Sequence, residues 1–297
     1  MIIRHHQETP GVVVSMIGVK FWTVLLLVFE LFPQAGRADI IPPHGATTPG
    51  IDVSQYQGTI NWSAVAAAGQ KFAIARVSDG TFLDSDFMQN WNGIASVGLI
   101  RGAYQFFEPD EDVNTQATLF LSTVGGFGPG DLPPVLDVEI TGGLSSAVLD
   151  AEIGQWVSDV HAATGLIPII YTAAGFWNGS VGASSFSTDL WVANYGVSAP
   201  DVPTPYWSDW QMWQYTDAGS VSGVSGEVDA DKFNGSLASL EAYASQSASV
   251  PEPRTLFLMC VALLGFGRFT SAAARLRASA KNRSRVGPPV FKICVHR

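Results

Sequence analysis

Asp137 and Glu139 stand two residues apart at the end of the apolar run Leu132-Pro-Pro-Val-Leu136. On a strand, side chains alternate faces with a period of two, so both carboxylates share a face and Val138 points the other way. Two carboxyls at the mouth of a strand are the minimum equipment for acid-assisted cleavage of a glycosidic bond. The same Asp-x-Glu pattern also occurs as a plain acidic pair on a surface. The chemical reading gains weight because similar acid- or aromatic-tipped apolar runs recur along the chain.

Eight such runs are visible. Gly50-Ile-Asp-Val-Ser54 carries Asp52, and Phe72-Ala-Ile-Ala-Arg-Val77 leads into Asp79. Leu99 to Phe106 carries Tyr104, Pro134 to Val138 leads to the Asp137/Glu139 pair, and Ile167 to Tyr171 ends on Tyr171. Leu190 to Asn194 ends on Asn194 and Tyr195, Gln211 to Tyr215 holds Trp213, and a short run near Val228 holds Asp229 and Asp231. Helices are expected between them at 62–69, 87–97, 113–124 and 145–164, two of which stop at Gly69 and Gly165. Strand–helix alternation argues for parallel strands joined by crossovers, and eight strands argue for a barrel. After about residue 177 the segments between strands are rich in Ser, Gly and Pro, which predicts a barrel lacking helices on one side. The fold expected is therefore α/β, an irregular, helix-poor (β/α)8 TIM-like barrel, with its chemistry at the C-terminal ends of the strands.

Composition narrows the function. Between Thr48 and Ser245 there are 22 acidic and four basic residues, a net charge near −18, whereas Arg254 to Arg297 holds nine basic and no acidic residues. An acidic domain argues against nucleic acid, whose phosphates need Lys and Arg. Both cysteines, Cys260 and Cys294, lie in the basic tail, and His161 alone of the five histidines falls inside the domain. That leaves neither a Cys/His metal site nor a Ser-His-Asp triad, and no cofactor or metal is expected.

Both ends resemble addresses. Lys20, the apolar run Phe21 to Phe29 and Gly36-Arg37-Ala38 have the order of a secretory signal, with cleavage near Asp39 and a start at Met16. Val250-Pro-Glu-Pro253, a short apolar run at 255–267 and the basic residues from Arg268 onward resemble the PEP-CTERM sorting signal. That resemblance implies export, membrane contact through the C-terminal segment alone and processing by an exosortase-type enzyme. The expected organisation is a signal peptide at 1–38, a linker at 39–47 and a barrel at 48–245. A Pro-Glu-Pro linker at 246–254, the apolar segment at 255–267 and a basic tail at 268–297 follow. The protein would then be periplasmic, anchored in the envelope or secreted.

In order along the chain, Gly50-Ile-Asp-Val-Ser54 with Gln57-Gly58, Gly98 to Tyr104, Leu132 to Glu139, Pro168 to Thr172, Leu190-Trp-Val-Ala193, Trp213-Gln-Tyr-Thr216 and Gly226-Glu-Val-Asp229 resemble glycoside hydrolase family 25, the Chalaropsis-type muramidases. The resemblance covers roughly residues 48–243. It implies hydrolysis of the β-1,4 bond from N-acetylmuramic acid to N-acetylglucosamine in the glycan strands of peptidoglycan. Glu139 matches the acid/base and Asp137 the carboxylate that supports a substrate-assisted, retaining reaction. Asp52 and Asp229 match two further acidic positions that would help hold Glu139 protonated. Tyr104, Tyr171 and Trp213 are candidates for a sugar-binding wall, with Asp79, Asn194 and Tyr195 also expected to contact substrate. Gln105 and Asp79 stand where family members often carry His and Glu, so both are expected to alter subsite binding. Alternatives from other classes are a non-catalytic glycan-binding surface protein, a hydrolase of chitin or exopolysaccharide, and a structural envelope protein.

Overall fold

The computed structural model describes residues 37–182 and 184–245; the expected signal core, Pro-Glu-Pro motif, apolar segment and basic tail lie outside the described residues. The chain forms β1 (Arg37–Ile40), β2 (Thr48–Val53), α1 (Trp62–Ala67), β3 (Phe72–Asp79), β4 (Phe82–Leu83), α2 (Phe87–Ser96), β5 (Ile100–Phe106), α3 (Val113–Val124), β6 (Val135–Asp137), α4 (Ser146–Thr164) and β7 (Ile169–Ala173). Regular helices then give way to a single turn, α5 (Ala174–Phe176), which widens into a π-turn at Trp177–Val181. β8 (Asp189–Ala193), β9 (Asp201–Thr204), β10 (Met212–Gly219), β11 (Val228–Phe233) and α6 (Leu237–Ser245) complete the described chain.

The helices start and stop where local chemistry requires. Asn61 caps α1 by accepting from the Ala64 amide at 3.1 Å, and Asp112 caps α3 by accepting from the Thr115 amide at 2.8 Å. α3 and α4 stop at Gly125 and Gly165, whose φ values of 74° and 72° suit a residue without Cβ.

β2, β11, β10, β8, β7, β6, β5 and β3 are neighbours in that order, and pairing of β2 with β3 closes the ring. Seven strands run parallel, but β11 is antiparallel to both neighbours. This corrects the all-parallel expectation. The link from Gly219 to Val228 is shorter than the dozen or so residues a parallel crossover needs. The consequence is functional: the start of β11 lies with the ends of the other strands, which brings Asp229 opposite Asp52.

Alternation sorts the side chains into two cores. Phe72, Ile74, Val135, Ile169, Met212 and Phe233 fill the barrel, with Leu240 and Ala244 of α6 packed against them as its plug. Gly50 makes room for this filling, since a Cβ there would lie 2.4 Å from the Phe72 ring. The opposite face of the strands, including Ala73, Ala75, Leu136 and Ile170, packs with Trp91, Phe120 and Trp156 of the helices.

Where helices are missing, indoles replace them. Leu190, Val192 and Trp213 share the outer core with Val202, Trp177, Trp207 and Trp210. Trp177 and Trp207 meet edge to face at 4.8 Å, and Trp210 and Trp213 at 6.0 Å. β9 is bordered in turn by β1, whose Arg37, Ala38, Asp39 and Ile40 pair with Thr204, Pro203, Val202 and Asp201. The segment read as the end of a signal and the start of a linker is thus a strand here, extended by Ile41, whose carbonyl accepts from Trp210 Nε1 at 2.8 Å.

Candidate active site

At the end of the barrel where the parallel strands finish, inward-facing polar residues line an open cleft. β2 contributes Asp52, β6 Asp137, β11 Asp229, and Glu139 follows two residues beyond Asp137. Tyr104, Tyr171 and Tyr195 line the same cleft. A second hollow continues from it, sharing Glu139, Tyr171 and Tyr195 and adding Phe176 and Asn194. Glu139 is thus common to both hollows.

Three residues expected at the site do not line it. Trp213 does not reach the cleft: it lies on the outer face of β10, and its Nε1 donates to the Asn194 carbonyl at 2.7 Å. Gln105 also faces outward, wholly buried behind the site. Its Nε2 donates to Ser78 Oγ at 2.7 Å and its Oε1 accepts from Trp156 Nε1 at 2.7 Å, so it ties α4 to the barrel instead of shaping a subsite. Asp79 is also absent from the lining; its partly exposed carboxylate accepts from Arg76 Nη1 at 3.2 Å.

Among the lining residues absent from the expected site are four that matter most for its chemistry: Tyr56, Arg76, Trp191 and Gln214. Strand parity offered a signal for three. Arg76 alternates with Ala75 and Val77, Trp191 with Leu190 and Val192, and Gln214 with Trp213, each sharing a face with barrel-filling residues. Arg76 is the cleft's cation. Its Nε donates to the buried Asp84 carboxylate at 3.1 Å, and its guanidinium lies 5.0 Å from the Tyr56 ring centre.

Burial dominates the electrostatics. It pushes the Asp52 carboxyl well above its usual value, with the negative charges of Asp231 and Asp229 adding to the effect. Asp229 is pushed up to about 6, again mainly by burial, while its hydrogen bond with Asp52 pulls the other way. Two carboxyls that hydrogen-bond share a proton, so this side of the cleft is partly neutral at mildly acidic pH. Asp231, fully buried, accepts from Trp191 Nε1 at 2.9 Å and is also raised well above normal, chiefly by burial. Asp137 is raised by burial and by the charge of Glu139, and the nearby Arg76 cation opposes the rise. Glu139 is open to solvent on one side, yet enough protein surrounds its carboxyl to raise it above the ordinary range.

Hydrogen bonds join the two sides. The Tyr171 hydroxyl donates to Gln214 Oε1 at 2.7 Å, Tyr195 donates to the same oxygen, and Gln214 Nε2 donates to Asp52 Oδ2 at 2.7 Å. Asp137 Oδ1 is buried with no N–H or hydroxyl donor among the described residues, and the Asp137 carboxyl hydrogen-bonds with that of Glu139.

Residues 51–224 match the model of the family described as Glycosyl hydrolases family 25. Lysozyme M1 of Streptomyces globisporus is 40% identical over 220 residues, which span 70% of this chain and 74% of that protein. The crystal structure of the bacterial lysozyme from Streptomyces coelicolor is 40% identical and superposes with a TM-score of 0.65 over 68% of this chain and 99% of its own. A family GH25 lysozyme from Aspergillus fumigatus is 34% identical, with a TM-score of 0.62 over 67% of this chain and 100% of its own.

Proposed function

Since the chain belongs to glycosyl hydrolase family 25, we propose that it is a lysozyme that hydrolyses the β-1,4 bond between N-acetylmuramic acid and N-acetylglucosamine in peptidoglycan. Glu139 protonates the leaving oxygen and then activates water. Its place at the junction of both hollows carries this reading, because a glycosidic oxygen there has one sugar on either side.

Asp137 acts on the sugar. Its carboxylate, which lines the cleft beside Glu139, accepts from the N–H of the substrate's acetamido group. That bond orients the acetamido oxygen towards the anomeric carbon and stabilises the oxazolinium ion formed when it attacks. Water then opens the ring with overall retention, as in glycosidases that use the substrate as nucleophile. Asp52 and Asp229 keep the cleft acidic around Glu139. Tyr104, Tyr171 and Tyr195 offer ring faces and hydroxyls to the sugars, and Asn194 an amide.

The test is mass spectrometry of fragments released from purified peptidoglycan by the protein and by Glu139→Gln. New reducing N-acetylmuramic acid ends from the wild type are expected, with a loss of about 10²–10⁴-fold in rate for the variant. Reducing N-acetylglucosamine ends, or an active Glu139→Gln, would overturn the assignment. Proton NMR of the first product should show the β anomer; an α anomer would remove the substrate-assisted route.

This substrate lies outside the cytoplasmic membrane, which supports export. Retention by the Pro-Glu-Pro tail and trimming by an exosortase-type enzyme are part of the same proposal. Fractionation of cells carrying the chain with and without residues 250–297 tests them: loss of envelope retention is expected in the shorter chain.

A further inference from the structure

Arg76 is only 6% exposed, yet it lines the cleft. Its Nε donates to Asp84 at 3.1 Å and its Nη1 to Asp79 at 3.2 Å. Neither of these carboxylates lines the cleft. The nitrogen left for the cleft is Nη2, which is buried without a hydrogen-bond partner among the described residues. It carries two N–H donors, and a buried donor left open costs free energy until a ligand completes it. Tyr56, which lines the same hollow, lies over the guanidinium at 5.0 Å. At 77% exposed, that ring is a cover with room to turn aside.

Charge and position define what completes it. The other charged residues lining the two hollows are Asp52, Asp137, Glu139 and Asp229, so Arg76 is where an anion finds attraction. Arg76 belongs to the hollow that holds Asp137 and not to the second one. Register sets Arg76 beside Tyr104 and Tyr104 beside Val135, one step below Asp137 on the same inner face. The inference rests on the muramidase reading, in which Asp137 takes the acetamido group of N-acetylmuramic acid. That sugar carries an O-lactyl group on the carbon next to its acetamido group, where N-acetylglucosamine has a hydroxyl. We propose that Arg76 Nη2 binds the lactyl carboxylate, making Arg76 the residue by which the cleft selects muramic acid and prefers glycan strands freed of their stem peptides. Where a stem peptide is attached, the same carboxyl is an amide, whose oxygen accepts from Nη2 without charge and more weakly. Arg76 takes no part in breaking the bond; it determines specificity.

The experiment measures kcat/KM of the full chain on three tetrasaccharides, at about 0.15 M salt so that the acidic surface is screened. One alternates N-acetylglucosamine with N-acetylmuramic acid bearing free lactyl carboxylates. The second is the same with each carboxylate converted to a methylamide, and the third is chitotetraose. The wild type should favour the carboxylate over the methylamide by about 10-fold, the difference between a charge-assisted and a neutral hydrogen bond. Arg76→Gln should bring that ratio close to one, and Arg76→Lys, which keeps the charge, should retain part of it. If Arg76 only tied β3 to Asp84 and Asp79, its loss would lower both muramic substrates equally; an unchanged ratio in Arg76→Gln would therefore overturn the inference. A wild type indifferent to the two would overturn it without any variant. Arg76→Gln combined with Asp84→Asn, which removes the buried charge left behind, replaces the single variant if that fails to fold. Chitotetraose separates the two claims. If the wild type cleaves it as fast as the muramic substrates, the muramidase reading falls first; if it is spared while the ratio ignores Arg76, only the role of Arg76 falls.

Discussion

At the scale of single residues, neighbours decide what each acidic group can do. Asp229 is pushed up to about 6, well above an exposed aspartate, and burial is the main cause. A raised carboxyl means that the folded state holds its proton over a range where the unfolded chain has lost it. The stabilisation is complete below the unfolded value near 3.8 and is lost as pH rises through about 6. Chemical denaturation of the wild type between these limits should show stability falling with rising pH, and Asp229→Asn should flatten that slope. A slope unchanged in the variant would assign it to Asp52 or Asp231, which are raised for the same reason. Trp213 and Trp191 make a second contrast. Both are buried, but Trp191 lines the cleft and Trp213 packs outside the barrel. Trp213→Ala should cost about 3–5 kcal/mol of stability, as large core truncations do, with KM of the folded fraction unchanged. A raised KM at full stability would return Trp213 to the sugar-binding wall.

Among the elements, those lacking a helical signature shape the last third of the barrel. The outer faces of β8 and β10 are packed by Val202 and three tryptophans in place of an amphipathic helix. β1 then pairs with β9, which would otherwise present an open edge. A chain beginning at Ile41 should therefore unfold at a temperature several degrees lower, at about 2–4 °C for each kcal/mol lost, and still cleave peptidoglycan with the same KM. Thermal unfolding followed by circular dichroism decides this; an unchanged midpoint would mean that β1 adds nothing to the barrel. The point bears on processing, because cleavage after Ala38 would remove two of the four residues that pair with β9.

For the molecule as a whole, charge governs approach to the substrate. The barrel region, 48–245, carries a net charge near −18. A wall that bears anionic polymers repels such a surface, and salt weakens the repulsion by shortening the screening length from about 30 Å at 0.01 M to about 8 Å at 0.15 M. Turnover on anionic walls should rise over that range of ionic strength, while turnover on short neutral glycan fragments should stay level. An equal response on both substrates would show that salt acts on the cleft and not on the approach.

Much of this protein is decided locally along the chain. Asp137 and Glu139 share a face because they are two residues apart on an extended segment, and strand parity places Asp52 inside the barrel by the same rule. Capping residues and the glycines after α3 and α4 mark their helices from nearest-neighbour chemistry alone. The rest depends on contacts between distant segments. Which parity of β10 faces inward separates Trp213 from Gln214, and it is settled by neighbouring strands, since both residues suit a buried face. The reversal of β11 sets Asp229 against Asp52 across a ladder that closes only when both ends of the barrel meet. Gln214 joins Tyr171 to Asp52, partners 43 and 162 positions away from it in the chain. Hydrogen-bond direction is a property of the closed ring, where each buried donor must find its acceptor, and no local pattern in the sequence encodes it.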